Sequence, residues 1–178
     1  MLHCKKNPVG IDKVIDRIQK KIHAPLEKKW LKLDLYGRVY KNADGKGGVT
    51  LERYLHSGEY EPILYSEGNK IFFVQGNRPE INLGTVKNDL WAVCILNLEH
   101  IYKVTHRPDE EAHIDLVSEL TKVLMLGQIQ GVEYGMENLK RVVQDVFQFG
   151  NFKFSDMHPY HVFMVRMKVD YELTINEC

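Results

Sequence analysis

The chain has 178 residues, a length with which one domain can bury a core without disulfides or metal. Its 24 basic and 24 acidic side chains balance, so it lacks the overall positive charge by which some proteins coat a genome non-specifically. Three scattered cysteines exclude a disulfide framework and a CxxC metal knuckle, and there is no long apolar run or signal-peptide pattern. We therefore expect a single domain, 1–178, kept soluble inside a cell without membrane contact.

Charge is distributed unevenly along the chain. Residues 1–41 carry eleven Lys and Arg against four Asp and Glu, and the remainder is acidic by the same margin. Such a dipolar layout can help identical subunits meet. The uneven charge is explained equally well by lysines that only contact solvent on the outer face of a helix. A further hypothesis is a small module that binds nucleic acid through these lysines.

The first predicted element is an amphipathic helix that begins at Ile11. Apolar residues recur at helical spacing as far as Ile22, with Asp, Lys, Arg and Gln between them. Pro25 is expected to end or kink this helix. The pattern then changes to short apolar runs, of which 33–40 is the first. Because the Gly-rich sequence NADGKGG follows, a mobile loop insert is predicted at about 41–60.

The middle of the chain predicts strands and then a helix. The runs Ile63–Tyr65 and Lys70–Gln75 are predicted to pair as a hairpin. The segment Asp89–Lys103 is apolar on both faces for most of its length, which is typical of a central strand covered on two sides. Pro108 then fits a first helical turn, and the acidic residues 109–111 suit the positive end of the helix dipole.

The last third of the chain completes the predicted fold. Apolar residues recur at helical spacing over Ala112–Leu124, and a shorter helix is predicted from Leu139 to Phe147, ending near Gly150. In the closing segment, odd-numbered residues 163–173 would face the core and even-numbered residues 164–172 the solvent. The expected fold class is α+β, with a largely antiparallel sheet, an N-terminal helix and one or two helices packed on it.

Histidines provide the main chemical alternative. His158 and His161 precede and enter the final strand, where residues three apart point to opposite faces, so a shared metal ion is disfavoured. The alternative hypothesis makes them the site of a metal-dependent hydrolase, completed by His106 or Asp109. Cys94 is expected to be an inert buried thiol. We therefore predict that the protein is not an enzyme and has no catalytic residue, no metal-binding residue and no cofactor.

Tyrosine and arginine side chains near the predicted loops have the composition of protein contact surfaces. With charged residues of the Gly-rich loop and of the second helix start, they form the predicted subunit or partner interface. Its residues are Arg38, Tyr40, Lys41, Asp44, Lys46, Arg53, Tyr54, Arg107, Asp109 and Glu110.

Three segments, in their order and character, resemble the tail terminator, or tail completion, proteins of long-tailed bacteriophages. The segments are IDKVIDRIQKKI, DLWAVCILNLEHIYKVTHRPDEEAHIDLVSELTKVL and HPYHVFMVRMKVDYEL. The phrase YGRVYKN before a Gly-rich loop is also similar to virion neck and tail proteins of this type. The resemblance covers about two thirds of the chain.

The resemblance implies a tail-terminator-like fold and a structural protein of the virion, assembled in the host cell cytoplasm, without catalysis. It implies a homo-oligomer, usually a hexameric ring, that stops tail-tube growth and joins the tail to the head connector. The implied partners are tail tube and head connector proteins, and DNA would pass through the lumen without sequence-specific binding. The insert at about 41–60 and the segment 136–154 exceed the family pattern, so the position in the neck stays open.

Overall fold

A computed structural model describes residues 1–43, 49–54, 58–63, 68–101, 107–125, 127–143 and 158–172. The described part has the predicted α+β fold: an N-terminal helix, a mostly antiparallel sheet and two further helices. The helices are α1, Ile11–Glu27, α2, Asp109–Thr121, and α3, Gly135–Val143, with a 3₁₀ turn at Leu98–His100. The strands are β1, Leu33–Ala43, β2, Val49–Tyr54, β3, Tyr60–Pro62, β4, Asn69–Gln75, β5, Glu80–Asn82, β6, Thr85–Asn97, β7, Ile129–Tyr134, and β8, Tyr160–Glu172.

The described strands form one sheet in the order β3-β2-β1-β4-β6-β8-β7, and β5 pairs with the start of β6. β1 and β4 are parallel, whereas the other neighbouring strands are antiparallel. β1 pairs with β4 as far as Arg38 and with β2 from Val39 onward. The part of β1 from Val39, together with β2 and β3, is called the arm below.

Helices cover both faces of the sheet. α1 and α2 pack on the first face, where the buried residues include Ile18, Ile22, Cys94, Leu116 and Phe163. α3 packs on the second face, where the buried residues include Phe72, Val93, Leu139, Val143 and Met164. Each buried side chain of this kind contributes about 1.5–3 kcal/mol, so both faces stabilise the sheet.

The predicted first helix is confirmed, but its predicted end is wrong. α1 continues through Pro25 to Glu27. Proline lacks a backbone N–H and costs one helical hydrogen bond. Leu26 is fully buried and extends the apolar stripe one turn beyond Ile22, and this burial offsets the lost bond.

Two predictions concern the region before β4. The loop insert predicted at about 41–60 contains strand residues at 41–43 and 49–54, while 44–48 and 55–57 lie outside the described residues. Of the predicted hairpin strand Ile63–Tyr65, residues 64 and 65 lie outside the described residues, and the described part of the chain pairs β4 with β1 on one side and with β6 on the other. Turn-forming residues marked the chain reversals, but they carry no information about strand partners.

The final strand is confirmed, but the predicted wet face is wrong for its first half. Met164 is fully buried because α3 covers the second face there, and the alternation with solvent begins only at Arg166. The central strand begins earlier than predicted and ends at Asn97, and α3 begins at Gly135, with 144–150 outside the described residues. β7 was not predicted, since its half-exposed sequence IQGVEY lacks a clear alternation.

A strained residue occupies the turn between β5 and β6. Asn82 pairs with Thr85, so Leu83 and Gly84 alone form the turn, with φ angles of 43° and 83°. Positive φ at both positions is the geometry of a type I′ turn, which favours the sequence Asn-Gly. The Leu83 side chain is 99% exposed, so no packing compensates a conformation that costs leucine about 1–2 kcal/mol.

We therefore expect Leu83→Asn to raise the free energy of unfolding by about 1 kcal/mol, because asparagine tolerates this conformation. Urea denaturation followed by circular dichroism measures the change. Ile81→Asn is the matched control: Ile81 is also exposed but lies in β5, so the variant should gain no stability. An unchanged or lower midpoint for Leu83→Asn would contradict the assigned turn.

Candidate interaction surfaces

A buried carboxylate, Asp12, organises a charged cluster between α1 and β1. Nζ of Lys5 donates a 2.6 Å hydrogen bond to Oδ2 of Asp12, and Nη2 of Arg38 donates a 3.1 Å bond to the same oxygen. Both cations also donate to the hydroxyl of Tyr40, at 3.0 and 2.9 Å, and Arg38 contacts Gln75 of β4. These shared partners hold the predicted interface residues Arg38 and Tyr40 in fixed positions at the base of the arm.

Three tyrosines pack edge to face beside this cluster. Ring centroids are 6.4 Å apart for Tyr40 and Tyr54, and 5.2 Å apart for Tyr54 and Tyr60. Nζ of Lys5 lies 5.4 Å from the Tyr54 centroid, and Cζ of Arg38 lies 4.8 Å from that of Tyr40, which are cation–π distances. Rigid tyrosines among arginines are typical of protein interfaces.

The N-terminal segment is tied to the arm by His3 and Arg53. Nε of Arg53 donates a 2.7 Å bond to Glu61, and its Nη1 donates to Nδ1 of His3. Nε2 of His3 donates a 3.1 Å bond to Asp34, and the ring stacks on Tyr36 with centroids 4.5 Å apart. Burial lowers the pKa of His3, so the neutral ring that accepts from Arg53 is favoured.

A second polar group lies at the start of α2 and is called the α2 corner. Nε of Arg107 donates a 2.8 Å bond to Oδ2 of Asp109. Burial alone would raise the pKa of Asp109, but this hydrogen bond, a backbone hydrogen bond and the nearby charge of Arg107 together lower the pKa. Buried His113 and His161 approach with 2.8 Å between their Nε2 atoms, so α2 is bonded to β8 here.

The neighbours of the two histidines determine which nitrogens carry protons. Nη2 of Arg107 lies 3.4 Å from Nδ1 of His161, and a guanidinium can only donate. Nδ1 of His161 therefore accepts, and the proton of this ring is on Nε2, which donates to Nε2 of His113. The proton of His113 is then on Nδ1, which lies 3.7 Å from Oε2 of Glu110. Burial lowers the pKa of His113, and His161 lowers it further, because two charged rings in contact would repel.

The predicted interface residues fall into two groups. Tyr40, Lys41, Arg53 and Tyr54 lie on the arm and Arg38 lies at its base, whereas Arg107, Asp109 and Glu110 lie at the α2 corner. Asp44 and Lys46 are outside the described residues. The strand register places the two groups at opposite ends of the sheet. Arg38 is near the last residues of β4, and His161 pairs with Leu96 near the last residues of β6. Because β4 and β6 are antiparallel, these are opposite ends.

The described histidines of the metal hypothesis lie in different surroundings. His161 contacts His113, His158 is exposed in the turn before β8, and His106 lies outside the described residues. Within the described ranges, no group of three or more His, Cys, Asp or Glu side chains could hold a metal ion. Cys94 is fully buried, and burial raises its pKa well above the usual value, which confirms the predicted buried thiol.

Sequence reasoning missed Asp12 and the His113–His161 contact. Asp12 had a weak signal, because a carboxylate between Ile11 and Ile15 lies at the edge of the apolar stripe. The two histidines had none: they are 48 residues apart, and they meet only through the β6–β8 register and the docking of α2.

No family model, curated protein or solved structure matches the chain. In the described part of the chain, no helix is long and apolar enough to cross a membrane. The functional proposal therefore depends on the arm and the α2 corner themselves.

Removing the charge of Asp12 should destabilise the protein strongly. Asp12→Asn leaves the partly buried cations Lys5 and Arg38 without a counter-charge, and we expect a loss of about 3 kcal/mol in urea unfolding. Asp16→Asn is the control, since it breaks the exposed pair with Lys20 and should cost about 0.5 kcal/mol. Equal losses in the two variants would show that the buried cluster does not anchor the arm.

Acid should weaken the contact between α2 and β8. Because the pKa of His113 lies below its ordinary 6.5 in the folded protein, the unfolded chain binds more protons, and stability falls as the pH drops below 6.5. Arg107, Asp109, Glu110 and Tyr134 face the pair. Their charges are not changed by the substitution tested.

The measurement is urea unfolding at about pH 7.5 and about pH 5.5. We expect His113→Gln to lose less stability than the wild type between these values, and His158→Gln, an exposed control, to behave like the wild type. A His113→Gln variant with the wild-type pH dependence would contradict this role.

Proposed function

We propose that the protein is a structural virion assembly protein of a bacteriophage, a ring-forming tail terminator or neck component without catalytic activity. The observation that carries the proposal is the separation of contact-type residues into two unlike surfaces at opposite ends of one sheet. Subunits in a ring meet through a heterologous contact, which needs two different complementary patches on every copy. The arm is rich in tyrosine and has as many cations as carboxylates, whereas the α2 corner is mainly acidic.

The rigidity of the arm supports this role. Asp12 binds Lys5 and Arg38, which in turn fix Tyr40, so the surface side chains are already ordered before a partner arrives. A surface ordered in advance loses less conformational entropy on binding. Such an arrangement suits a protein whose task is to meet other chains.

The edges of the sheet offer a further means of assembly. Among the described strands, β3 pairs with β2 alone and β7 pairs with β8 alone. An edge strand presents unpaired backbone groups that a strand of a neighbouring chain can complete. As far as the described residues extend, both lateral edges can therefore make contacts with further copies or with other virion proteins.

The order of the elements supports the resemblance to tail terminators. An N-terminal helix packs on the sheet, α2 follows the long strand β6, and β8 closes the described chain. The proposal includes a hexameric ring in the virion, with the tail tube and head connector proteins as partners. DNA would pass through its lumen without sequence-specific binding.

Native mass spectrometry and electron microscopy test the proposal. We expect a hexameric ring, either from the purified protein alone or after mixing with tail tube or head connector protein, and we expect the chain in assembled particles. Leu83→Asn should assemble like the wild type, since Leu83 lies in the turn between β5 and β6 and is not among the residues of either surface. A protein that stays monomeric in every mixture and is absent from particles would refute the proposal.

A further inference from the structure

The second face of the sheet contains a cationic cleft. Its volume is about 550 Å³, and it lies between the arm and α3. Among the described lining residues, the charged ones are Arg38, Lys41, Glu133, Arg141 and Arg166. Four of these five side chains are cationic, and Asp12 and Asp89 pair with two of the four, Arg38 and Arg166. Apolar lining from Leu51, Val74, Trp91 and Val142 accompanies these charges, so the cleft suits a partner that is both acidic and apolar.

Two arginines in the cleft can accept a further carboxylate. Arg141 donates to Glu133, and its side chain is 67% exposed. Arg166 donates a 2.8 Å bond to Asp89, and its guanidinium lies 5.6 Å from the Trp91 ring. An arginine carries more N–H donors than a single carboxylate oxygen can use, so both retain capacity for bidentate binding.

The outward face of α2 has the complementary character. Glu110 and Ile114 are four residues apart and therefore lie on the same side of the helix. The Glu110 side chain is 77% exposed, and Ile114 is 65% exposed. Exposed Ser118 and Thr121 continue this face as far as Lys122, whose ammonium is paired with Glu119. The first face of the sheet thus presents an isoleucine beside a carboxylate, which is the acidic and apolar combination that suits the cleft.

The positions of the cleft and the helix determine how they can meet. α2 packs on the first face, whereas the cleft opens on the second face, beside α3. The α2 start also lies at the opposite end of the strands from the arm. One copy can therefore present α2 to the cleft of the next in a front-to-back contact, which is heterologous and can close into a ring.

We infer that the outward face of α2 in one copy docks in the cationic cleft of a second copy, with Glu110 near Arg141 and Ile114 against the apolar lining. This inference rests on the proposed ring and identifies the contact that would join its subunits. The opposite charges of the two surfaces favour a second copy of this chain as the occupant.

A charge exchange tests the contact. Arg141→Glu and Glu110→Arg should each weaken assembly of the chain at least about tenfold, because each places like charges opposite one another. The double variant Arg141→Glu/Glu110→Arg should recover association to within about threefold of the wild type, since the opposite charges are restored with exchanged positions. Native mass spectrometry measures the ring, with the tail tube or connector protein present if assembly requires it.

Matched controls separate this contact from general effects of charge. Lys20→Glu reverses a cation on α1 that is 60% exposed and also paired with one carboxylate, as Arg141 is. Glu137→Arg reverses a glutamate in the first turn of α3 that is 87% exposed. Both should assemble within about threefold of the wild type. Circular dichroism establishes that every variant is folded.

The outcomes distinguish the inference from the proposed function. If the wild type forms rings and both charge-reversal variants assemble as well as the control variants do, the inference is overturned and the proposed function stays in place. Loss of assembly that the double variant does not recover also overturns it. If Arg141→Glu leaves rings intact but weakens binding of a DNA oligonucleotide, the cleft is a nucleic-acid site instead. Absence of rings in every mixture overturns the proposed function and the inference together.

Discussion

The antiparallel ladder between β6 and β8 is the constraint on which the rest of the structure depends. Both strands have thirteen residues and pair along their whole length. Because helices bury both faces of this ladder, its central side chains must be apolar, and its backbone groups are satisfied within the sheet. The charged side chains of the α2 corner lie instead at the end of the strands and at the start of α2, and those of the arm lie beyond the ladder. These are the places from which a chain can meet another chain.

Buried polar contacts secure a helix to a strand at both ends of the sheet. Asp12 joins α1 to Arg38 of β1, and His113 joins α2 to His161 of β8. Replacing buried polar pairs with apolar side chains often stabilises a protein, so such pairs are weak evidence of selection for stability alone. Here each contact fixes the orientation of a surface group, which is what a specific interface needs.

A neutral chain can still have strongly directional surfaces. The total charge is zero, but the cleft on the second face is cationic and the outward face of α2 is acidic. Since these surfaces lie on opposite sides of the sheet, they are too far apart to neutralise one another within one copy. In the proposed ring, association between copies would bring them together, and electrostatic complementarity would then set the orientation of the contact more than its strength.

The sequence by itself determined the elements whose signal is local. The stripe from Ile11 to Ile22 and the acidic start of α2 were predicted correctly, because helical periodicity involves only neighbouring residues. Only the tertiary structure decided the partners of β4, the existence of β7, and the contacts of Asp12 and His113. Strand register and helix docking are set by burial summed over distant segments, and no local pattern encodes that sum.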